Sequence, residues 1–387
     1  MKKTESYKGF EQGPIRPPSE ADSLLIRITR NCPWNRCTFC PVYKGSTFSL
    51  RPLEHVLKDI DLVRFYVEEI LNERKTGRAT PRRGYMSLSP LSSDSGKGDM
   101  LALHAAYNFV SNGMRSIFIQ DGNSLIIKPD DIVRILKHIK EAFPGVERIT
   151  SYARSHTIAR ISDENLQRMA DAGLNRIHIG MESGSDKVLK RVKKGADKAT
   201  QIKAGQKVKR AGIELSEYYM PGLGGRELLR EHALETADAL NRINPDFIRL
   251  RTLALPADAP LTKEFEAGAF QKMGEVETAR ELLFFLEALE GITSTIKSDH
   301  VLNLFQEVEG VLPDDKKRMV APIKEFLQLS PEDQMVFCIG RRTHCLAQLS
   351  DLKNPRLYDY AQQACFDLGA TPESLDLAVE KIIKQFI

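Results

Sequence analysis

The chain has 387 residues, of which 42% are hydrophobic and 28% are charged, with 56 basic and 52 acidic side chains and a formal net charge of +4. This composition is that of an ordinary globular protein, long enough for one large α/β domain and a smaller partner. The near balance of charge predicts no strong attraction to nucleic acid or to a membrane surface, and no apolar run approaches the roughly 18–20 residues of a membrane-spanning helix.

The cellular compartment is predicted from the N-terminus and the cysteines. The first residues are polar and lead into a stretch with proline and glycine, without the apolar core of a secretory signal. Six cysteines, three of them within nine residues, do not form the pattern of a disulfide framework for a chain of this size. Both features predict a cytoplasmic protein.

The predicted elements begin after an irregular, proline-bearing leader at residues 1–22. Alternating apolar residues predict a first strand at 24–29, and an apolar stripe predicts a long amphipathic helix at 53–71. Two breaks with polar residues and glycine follow. The segment between them, 84–90, fits either a short strand or a loop on the substrate side, and the pattern does not decide between the two.

Strand and helix signals then alternate up to about residue 260. Short apolar runs that end in polar residues or glycine predict strands at 116–122, 148–154, 176–180, 212–220 and 246–253. Apolar periodicity and capping residues predict helices at 129–142, from Ser162 to 173, from 185 onward, and at 227–242. After residue 260 the pattern is helical to residue 387, with a cap at Ser330.

Strands separated by helices of ~10–15 residues predict repeated βα units around a parallel sheet. About six such units predict an α/β fold of the incomplete (β/α)6 TIM-like barrel kind, followed by a helical C-terminal extension. The predicted domains are the leader at 1–22, the barrel core at 23–260 and the helical region at 261–387. In such barrels the functional residues lie at the C-terminal ends of the strands, and every motif described below falls at such an end.

Three cysteines, Cys32, Cys37 and Cys40, lie within nine residues directly after the first predicted strand. A zinc site would need a fourth ligand, and His344 could complete one. The same spacing occurs in ferredoxins that take a fourth cysteine further along, but those are small electron carriers, and buried structural thiols rarely occur as three in so short a stretch. A thiolate triplet after a strand can also hold three corners of an iron–sulfur cube and leave the fourth iron open to a substrate.

The triplet, with Phe39 before its third cysteine and repeated βα units after it, resembles the cluster loop of the radical S-adenosylmethionine (radical SAM) enzymes. The resemblance implies that the three thiolates hold a [4Fe–4S] cluster, that SAM chelates the fourth iron, and that Phe39 packs near the adenine. The loop has four residues between Cys32 and Cys37, where the commonest family spacing has three. The resemblance covers roughly residues 24–255.

The predicted strand at 116–122 ends in Gln-Asp-Gly-Asn-Ser, where the family usually has Gly-Gly-Glu. The resemblance implies that Asp121, Gly122 and Asn123 lie at the SAM amino group. Asp121 and backbone carbonyls are natural acceptors for an ammonium group. Local propensity alone would also explain an Asp-Gly-Asn turn between a strand and a helix.

The segment 179–186, Ile-Gly-Met-Glu-Ser-Gly-Ser-Asp, is similar to a run found in many radical SAM enzymes. The resemblance implies that Glu182 and Ser183 reach the ribose or methionyl part of SAM. It also implies that a basic residue after them pairs with the SAM carboxylate, for which Lys194 and Arg191 are candidates. The serines also fit as helix N-caps, with Glu182 against the helix dipole, and the two interpretations are compatible.

Gly222, Leu223 and Gly224 follow the next predicted strand and resemble the backbone segment that approaches adenine in the family. Glycine permits close approach or a positive φ, although a single Gly-rich loop is a weak signal. Ser151, on an earlier strand, is a candidate to line the cofactor cavity. Arg249, on the last strand, would suit an anionic substrate if directed inward, and otherwise packs its stem with a solvated head.

The resemblance implies that a flavodoxin- or ferredoxin-type donor reduces the cluster, and that SAM is then cleaved to methionine and a 5′-deoxyadenosyl radical. That radical would take a hydrogen atom from an unidentified substrate, for which a small molecule is favoured. The reduced cluster should be sensitive to oxygen. An RNA-modifying enzyme and a non-catalytic iron–sulfur electron carrier or sensor are the alternatives.

Two further groups of residues have open interpretations. Three cysteines with loose spacing fit either buried thiols or an auxiliary cluster: Cys338, Cys345 and Cys365. Basic residues at two places fit either solvated surface or contacts to RNA phosphates: Arg78, Arg82 and Arg83, and Arg341 and Arg342.

Overall fold

The computed structural model describes residues 5–76 and 97–384. The segment 84–90 and the basic residues Arg78, Arg82 and Arg83 lie outside the described residues. From residue 5 onward, the leader has no helix or strand before a 3₁₀ turn at Pro18–Glu20.

The described strands and helices alternate over most of the chain. The strands are β1 Leu24–Arg27, β2 Thr29–Arg30, β3 Ser49–Leu50, β4 Ser116–Gln120, β5 Arg148–Ala153, β6 Arg176–Glu182, β7 Glu214–Tyr219, β8 Phe247–Leu250, β9 Thr295–Lys297 and β10 Gly310–Val311. The α-helices are α1 Leu53–Lys75, α2 Lys97–Ser111, α3 Pro129–Ala142, α4 Ser155–Ile158, α5 Asp163–Asp171, α6 Asp186–Arg191, α7 Lys198–Arg210, α8 Gly225–Ile243, α9 Pro260–Glu266, α10 Glu275–Ala288, α11 Lys316–Gln328, α12 Pro331–Arg342, α13 Pro355–Asp367 and α14 Leu375–Ile383. Among these helices, none is both long enough and apolar enough to cross a membrane.

Eight of the strands form one sheet in the order β1-β4-β5-β6-β7-β8-β9-β10, and β2 pairs with β3. The pairing is parallel from β1 to β5 and from β7 to β9, and antiparallel between β9 and β10. The predicted α/β class is therefore confirmed, with a mostly parallel sheet, the strand order of an incomplete (β/α) barrel and a mainly helical C-terminal region.

The chain divides into two compact units, each built from several segments. Unit 1 comprises Met1–Pro33, Gly45–His178 and Lys207–Glu214, and unit 2 comprises Trp34–Lys44, Ile179–Gln206 and Leu215–Ile387. The predicted domain boundaries at residues 22 and 260 are a different division of the chain and stay a prediction.

Unit 1 is built on the parallel strands β1, β4 and β5. All five residues of β4 are buried, as expected for a strand covered on both faces of a parallel sheet. Helix α1 buries one stripe, which includes Val56, Ile60, Val63 and Val67. This confirms the helix predicted from the spacing of those residues, which continues to Lys75.

Unit 2 contains the parallel strands β7, β8 and β9 and the C-terminal helices. β9 and β10 lie in the region predicted as helical after residue 260, so that prediction is wrong at these two places. With three and two residues, they are too short to give a recognisable alternation. β9 forms because it pairs with β8, with Thr295 opposite Phe247.

The local helix signals behave as predicted. Ser162 and Ser330 accept hydrogen bonds from the backbone N–H groups of Asn165 and Asp333 and cap their helices. Gly173, the predicted stop of the first of these helices, has a φ of 108°. Such caps depend on neighbouring residues alone, which is why the sequence predicts them.

Candidate functional site

The cysteine loop runs between β2 and β3, whose antiparallel pairing closes it. Cys32, Cys37 and Cys40 are each partly exposed, and none is in a disulfide. Within residues 5–76 and 97–384, no group of three or more His, Cys, Asp or Glu is arranged to hold a metal ion, so the ligand role of the triplet stays a prediction. Its donor chemistry suits an iron–sulfur cluster, because partly exposed thiols outside disulfides can become thiolate ligands.

The middle of this loop is attached to other parts of unit 2. The N–H of Thr38 donates to the carbonyl of Val192 at 3.0 Å, and the carbonyl of Thr38 accepts from the N–H of Leu261 at 2.8 Å. The indole Nε1–H of Trp34 donates to the carbonyl of Lys193 at 2.7 Å. The backbone is therefore held at Thr38, between the second and third cysteines.

Three of the predicted cofactor-binding residues meet in unit 2. The Lys194 Nζ lies 3.2 Å from the Glu182 Oε1 and 5.7 Å from the centre of the Phe39 ring. Both charged side chains are 12% exposed, so they are largely shielded from water and still reachable by a ligand. Gly180 lies beside this pair, and a Cβ there would displace the Glu182 carboxylate from its present position.

Phe39 and the loop after β7 share one apolar cluster. Its buried members are Val188, Val192, Met220, Leu223, Leu253, Leu255, Leu261 and Phe270. Leu223 therefore has a core side chain. Gly222 has a φ of 95°, which favours glycine, and a Cβ on Gly224 would lie 2.9 Å from the His232 Cβ. Glycine is therefore favoured at 222 by the backbone conformation and at 224 by the close approach of His232.

Glu182 has a left-handed backbone conformation, with a φ of 66°, which is uncommon for a residue other than glycine. Its carbonyl accepts from the N–H of Met220 at 3.1 Å and lies 3.3 Å from the His232 Nε2. The other ring nitrogen, His232 Nδ1, is 2.9 Å from the Oε1 of Glu281. Strained backbone persists where the surroundings hold it, and these contacts hold Glu182.

Glu217, in β7, was not among the residues that the sequence singled out. It is 1% exposed, and both of its carboxyl oxygens are buried without a hydrogen-bond partner. Burial raises the pKa of Glu217 well above its ordinary value of 4.5, the Lys194 ammonium opposes that rise, and the Glu182 carboxylate adds to it. The available signal was an acidic residue inside a strand whose other residues are mostly apolar or aromatic.

The residues around helix α6 divide between capping and ion pairing. The Ser185 hydroxyl caps the helix, accepting from the N–H of Val188 at 3.3 Å. The Ser183 hydroxyl is buried and accepts from the N–H of Ser185 at 3.0 Å, so it is not itself the N-cap. Arg191 pairs with Glu227 at 2.9 Å, which leaves Lys194 as the better placed of the two basic candidates.

In unit 1 the predicted cofactor-binding residues after β4 have partners in the protein. The buried Asp121 carboxylate pairs with the Arg27 Nε at 2.6 Å. The Asn123 side chain accepts from the N–H of Arg154 at 2.9 Å and donates to the Thr157 hydroxyl at 2.8 Å. These contacts fit the interpretation of residues 121–123 as a turn that follows a strand. A contact of these residues with SAM stays a prediction.

Gly122 and Ser151 are the other two predicted cofactor-binding residues of unit 1. Gly122 is partly exposed, and the buried Ser151 hydroxyl donates to the carbonyl of Tyr152 at 3.2 Å. The Tyr152 ring packs at 5.2 Å from the Phe118 ring and 5.5 Å from the His178 ring. Ser151 is thus positioned beside an aromatic group of unit 1.

Three arginines that were candidates for anion binding are engaged elsewhere. Arg249 pairs with Asp299 at 2.6 Å. Arg341 donates to two backbone carbonyls, and Arg342 pairs with Glu275 at 2.6 Å. Both Arg341 and Arg342 are buried, so neither the solvated-surface interpretation nor the RNA-contact interpretation is right for them. Two consecutive arginines in a sequence do not reveal that they are buried, because Glu275, the partner of Arg342, is distant in sequence.

The remaining cysteines are also outside disulfides. Burial raises the pKa of Cys338 well above its ordinary value and raises that of Cys365 to about 11. Both side chains are therefore protonated thiols at neutral pH. This environment favours the buried-thiol interpretation over an auxiliary cluster.

A cavity of about 400 Å³ lies within unit 2, next to the segments that follow β7 and β8. Gly222, Thr252 and Leu253 line it from the strand ends, and Phe265 and Phe270 supply aromatic walls. Its volume falls in the range of roughly 300–1,000 Å³ that is usual for small-molecule sites.

Part of the chain matches a known family. A model described as the radical SAM superfamily matches residues 99–239. A curated relative, the tRNA uridine(34) acetyltransferase of Methanocaldococcus infernus, is 24% identical over 129 residues, which are 33% of this chain and 24% of the relative. The matched part is thus about a quarter of that relative's length.

Solved structures that match the chain are more distant from it in sequence. The cobalamin-dependent SAM radical enzyme OxsB, with cobalamin and SAM bound, is 14% identical, with 94% of this chain and 58% of that chain covered and a TM-score of 0.43. The FeFe-hydrogenase maturase HydG from Carboxydothermus hydrogenoformans is 12% identical, with 94% and 82% covered and a TM-score of 0.41.

Proposed function

We propose that the chain belongs to the radical SAM superfamily, whose model matches residues 99–239, and that it is a radical SAM enzyme acting on a small-molecule substrate. The [4Fe–4S] cluster would be held by the three loop cysteines, and SAM would contact Phe39, Glu182, Lys194 and the backbone at Gly222. When bound, these groups supply reductive cleavage of SAM and the removal of a hydrogen atom from the substrate. The protein's own residues bind, orient and shield the reactants.

The observation that carries the proposal is the contact between Phe39, Lys194 and Glu182. SAM has a carboxylate, an ammonium group, ribose hydroxyls and an adenine ring. The Lys194 ammonium suits the carboxylate, the Glu182 carboxylate suits the ribose or the methionyl ammonium, and the Phe39 ring offers an apolar face. Because Lys194 and Glu182 already neutralise each other, a zwitterionic ligand can join them without leaving a buried charge unpaired.

The carboxyl group of Glu217 is buried and forms no hydrogen bond with the described residues of the protein. A buried acid without a partner costs free energy, which a ligand that meets it would recover. Its electrostatic coupling to Lys194 and Glu182 associates it with the proposed SAM contacts. We therefore include Glu217 among the residues that meet a bound ligand.

The cavity beside Gly222 and Thr252 supports a small molecule as the substrate, because its volume and mixed apolar and polar lining suit one. An RNA substrate would need an exposed basic surface, and Arg341 and Arg342 are buried. Co-purification of RNA with the protein would favour the RNA-modifying alternative.

We further propose that a flavodoxin- or ferredoxin-type protein supplies the electron and that the enzyme works in the cytoplasm. The absence of disulfides among its six cysteines, all of them described, is in keeping with a reducing compartment. The reduced cluster is expected to be lost in air, which is the reason for working without oxygen below.

The test is production of 5′-deoxyadenosine by protein purified without oxygen, loaded with iron and sulfide, reduced with dithionite and given SAM. The wild type should form it, and a Cys32→Ala, Cys37→Ala, Cys40→Ala variant should not. Cys345→Ala, which changes a partly exposed cysteine outside the triplet, should retain it. A well-formed cluster with neither SAM binding nor cleavage would leave an electron carrier or sensor.

A further inference from the structure

Helix α10 supplies a buried carboxylate to the same part of unit 2 as Glu182. The Glu281 Oε1 accepts hydrogen bonds from the Tyr219 hydroxyl at 2.5 Å and from the N–H of Gly222 at 3.2 Å. The His232 Nδ1 lies 2.9 Å from the same oxygen. Side chains or backbone from β7, the loop after it and α8 therefore converge on one atom of α10.

His232 lies between two oxygens that can only accept hydrogen bonds. Its Nε2 is 3.3 Å from the Glu182 carbonyl, and its Nδ1 is 2.9 Å from the Glu281 carboxylate. The ring thus contacts the protein at both of its nitrogens. His232 and Glu281 are 0% exposed, so both contacts are shielded from water.

The pair of His232 and Glu281 touches two backbone positions of the proposed SAM site. It contacts the carbonyl of Glu182 through His232, and it accepts the N–H of Gly222 through Glu281. Both positions have a left-handed backbone, with φ of 66° and 95°. Such conformations need outside support, and partners behind a ligand-binding group commonly set its geometry.

We propose that Glu281 and His232 are positioning residues, which hold Glu182 and Gly222 in the arrangement that binds SAM. The inference rests on the proposed function, because it takes these two positions as SAM contacts. Glu281 lies outside residues 99–239, so the family match assigns it no role. The C-terminal helices would then contribute to cofactor binding as well as to the fold.

The first test is SAM binding to cluster-loaded protein in the absence of a reductant. Glu281→Gln keeps the shape of the side chain and removes its charge. We expect SAM to bind about 10-fold more weakly, with the KM for SAM rising more than kcat falls, as is typical when support behind a ligand contact is lost.

The matched control is a network in unit 1 that likewise joins a buried carboxylate to a tyrosine and a basic side chain. There the Asp59 carboxylate accepts from the Tyr7 hydroxyl at 2.8 Å and pairs with Arg51 at 2.7 Å. Asp59→Asn should lower the melting temperature and leave SAM affinity unchanged. A general effect of breaking a buried ion pair would instead weaken SAM binding in both variants.

A variant that fails to fold would imitate the expected result, so two further measurements are needed. The double variant Glu281→Leu, His232→Leu replaces the ion pair with apolar side chains, which buried pairs commonly tolerate. It should fold and still bind SAM weakly. Nitrogen NMR of protein without cluster or SAM should show that the amide signal of Gly222, which donates to Glu281, moves in Glu281→Gln and stays in place in Asp59→Asn.

Wild-type affinity for SAM in both folded variants would overturn the inference, and so would a Gly222 amide signal that is the same in the wild type and in Glu281→Gln. If the wild type itself binds no SAM, the proposed function fails, and the assignment of these residues to SAM binding fails with it. The NMR result separates that case, because it tests the contact between Glu281 and Gly222 without any cofactor.

Discussion

The predicted site residues of unit 1 differ from those of unit 2 in how far the protein itself satisfies them. In unit 1 the Asp121 carboxylate is fully buried and pairs with Arg27 at 2.6 Å. The side chain of Asn123 is also buried, and both its oxygen and its nitrogen form hydrogen bonds with neighbouring residues. These groups stabilise the turn after β4 and leave little hydrogen-bonding capacity for a ligand.

Unit 2 differs at Glu217. Lys194 and Glu182 pair at 3.2 Å and are 12% exposed, and both carboxyl oxygens of the buried Glu217 lack a hydrogen-bond partner among the described residues. A buried acid therefore stabilises the fold at Asp121, where the protein supplies a partner, and is available to a ligand at Glu217, where it does not. A buried polar group that lacks a partner is the better indicator of a binding site.

The largest effect on stability is expected from Asp121→Asn. The change leaves the Arg27 guanidinium without its closest anion, which should lower the free energy of unfolding by about 3 kcal/mol, as when one member of a buried ion pair is removed. Urea unfolding measures it. The exposed pair of Asp130 with Arg168 is the control, and Asp130→Asn should cost less than about 1 kcal/mol.

The same variant also tests the comparison between the units. If the Asp121 carboxylate is structural, the folded Asp121→Asn protein should bind SAM as the wild type does. Weaker SAM binding without a loss of stability would show that Asp121 contacts the ligand and that its carboxylate is not only structural.

Lys194→Met should act on binding. Removing the ammonium takes away a charge-assisted contact worth roughly 1.5–3 kcal/mol, so SAM should bind about 10- to 100-fold more weakly. Arg191→Met is the matched control, because Arg191 lies three residues earlier and pairs with Glu227 instead. Calorimetric titration of SAM into cluster-loaded protein measures both variants, and equal effects would contradict the assignment of Lys194.

Glu217 should make stability fall as pH rises. Its pKa in the folded state is raised above 4.5 by burial, so above that pH the folded protein binds more protons than the unfolded chain and stability declines. The decline is at most about 1.4 kcal/mol per pH unit and ends when pH passes the raised pKa. Unfolding of Glu217→Gln, followed from pH 5 to pH 8, should lack this component.

An unchanged pH dependence in Glu217→Gln would mean that the carboxyl has an ordinary pKa and a partner in solution. The contrast between the units would then lose its strongest element. A bound ligand should act in the same direction as the variant, because it gives the buried acid a partner.

The fold follows from the sequence where the signal is local. The caps at Ser162 and Ser330, and the stripe of α1, depend on residues within one or two turns, and each occurs where it was predicted. β9 was not predictable, because a three-residue strand gains its stability from pairing with β8, about 48 residues away.

The site was predictable only where its residues belong to motifs that are local in the sequence. Phe39, Glu182 and Lys194 stand in recognisable motifs, and the structure brings them together. Glu281 and His232 belong to no recognisable motif. Their proposed positioning function depends on a contact between residues that are 49 positions apart in sequence. The burial of Glu217 likewise depends on the packing of whole layers, which a single strand does not reveal.

The smallest effect is expected from thiol labelling, which changes neither stability nor binding. In protein without a cluster at pH 7, the partly exposed Cys32, Cys37, Cys40 and Cys345 should be alkylated quickly. Cys365, with a pKa of about 11, and the buried Cys338 should react far more slowly, because the thiolate is the reacting form. Loading with iron and sulfide should then protect the triplet and leave Cys345 reactive. Since Cys345 is as accessible as the triplet, its protection as well would mean that iron binds to thiols in general, and the loop would no longer be distinguished as the cluster site.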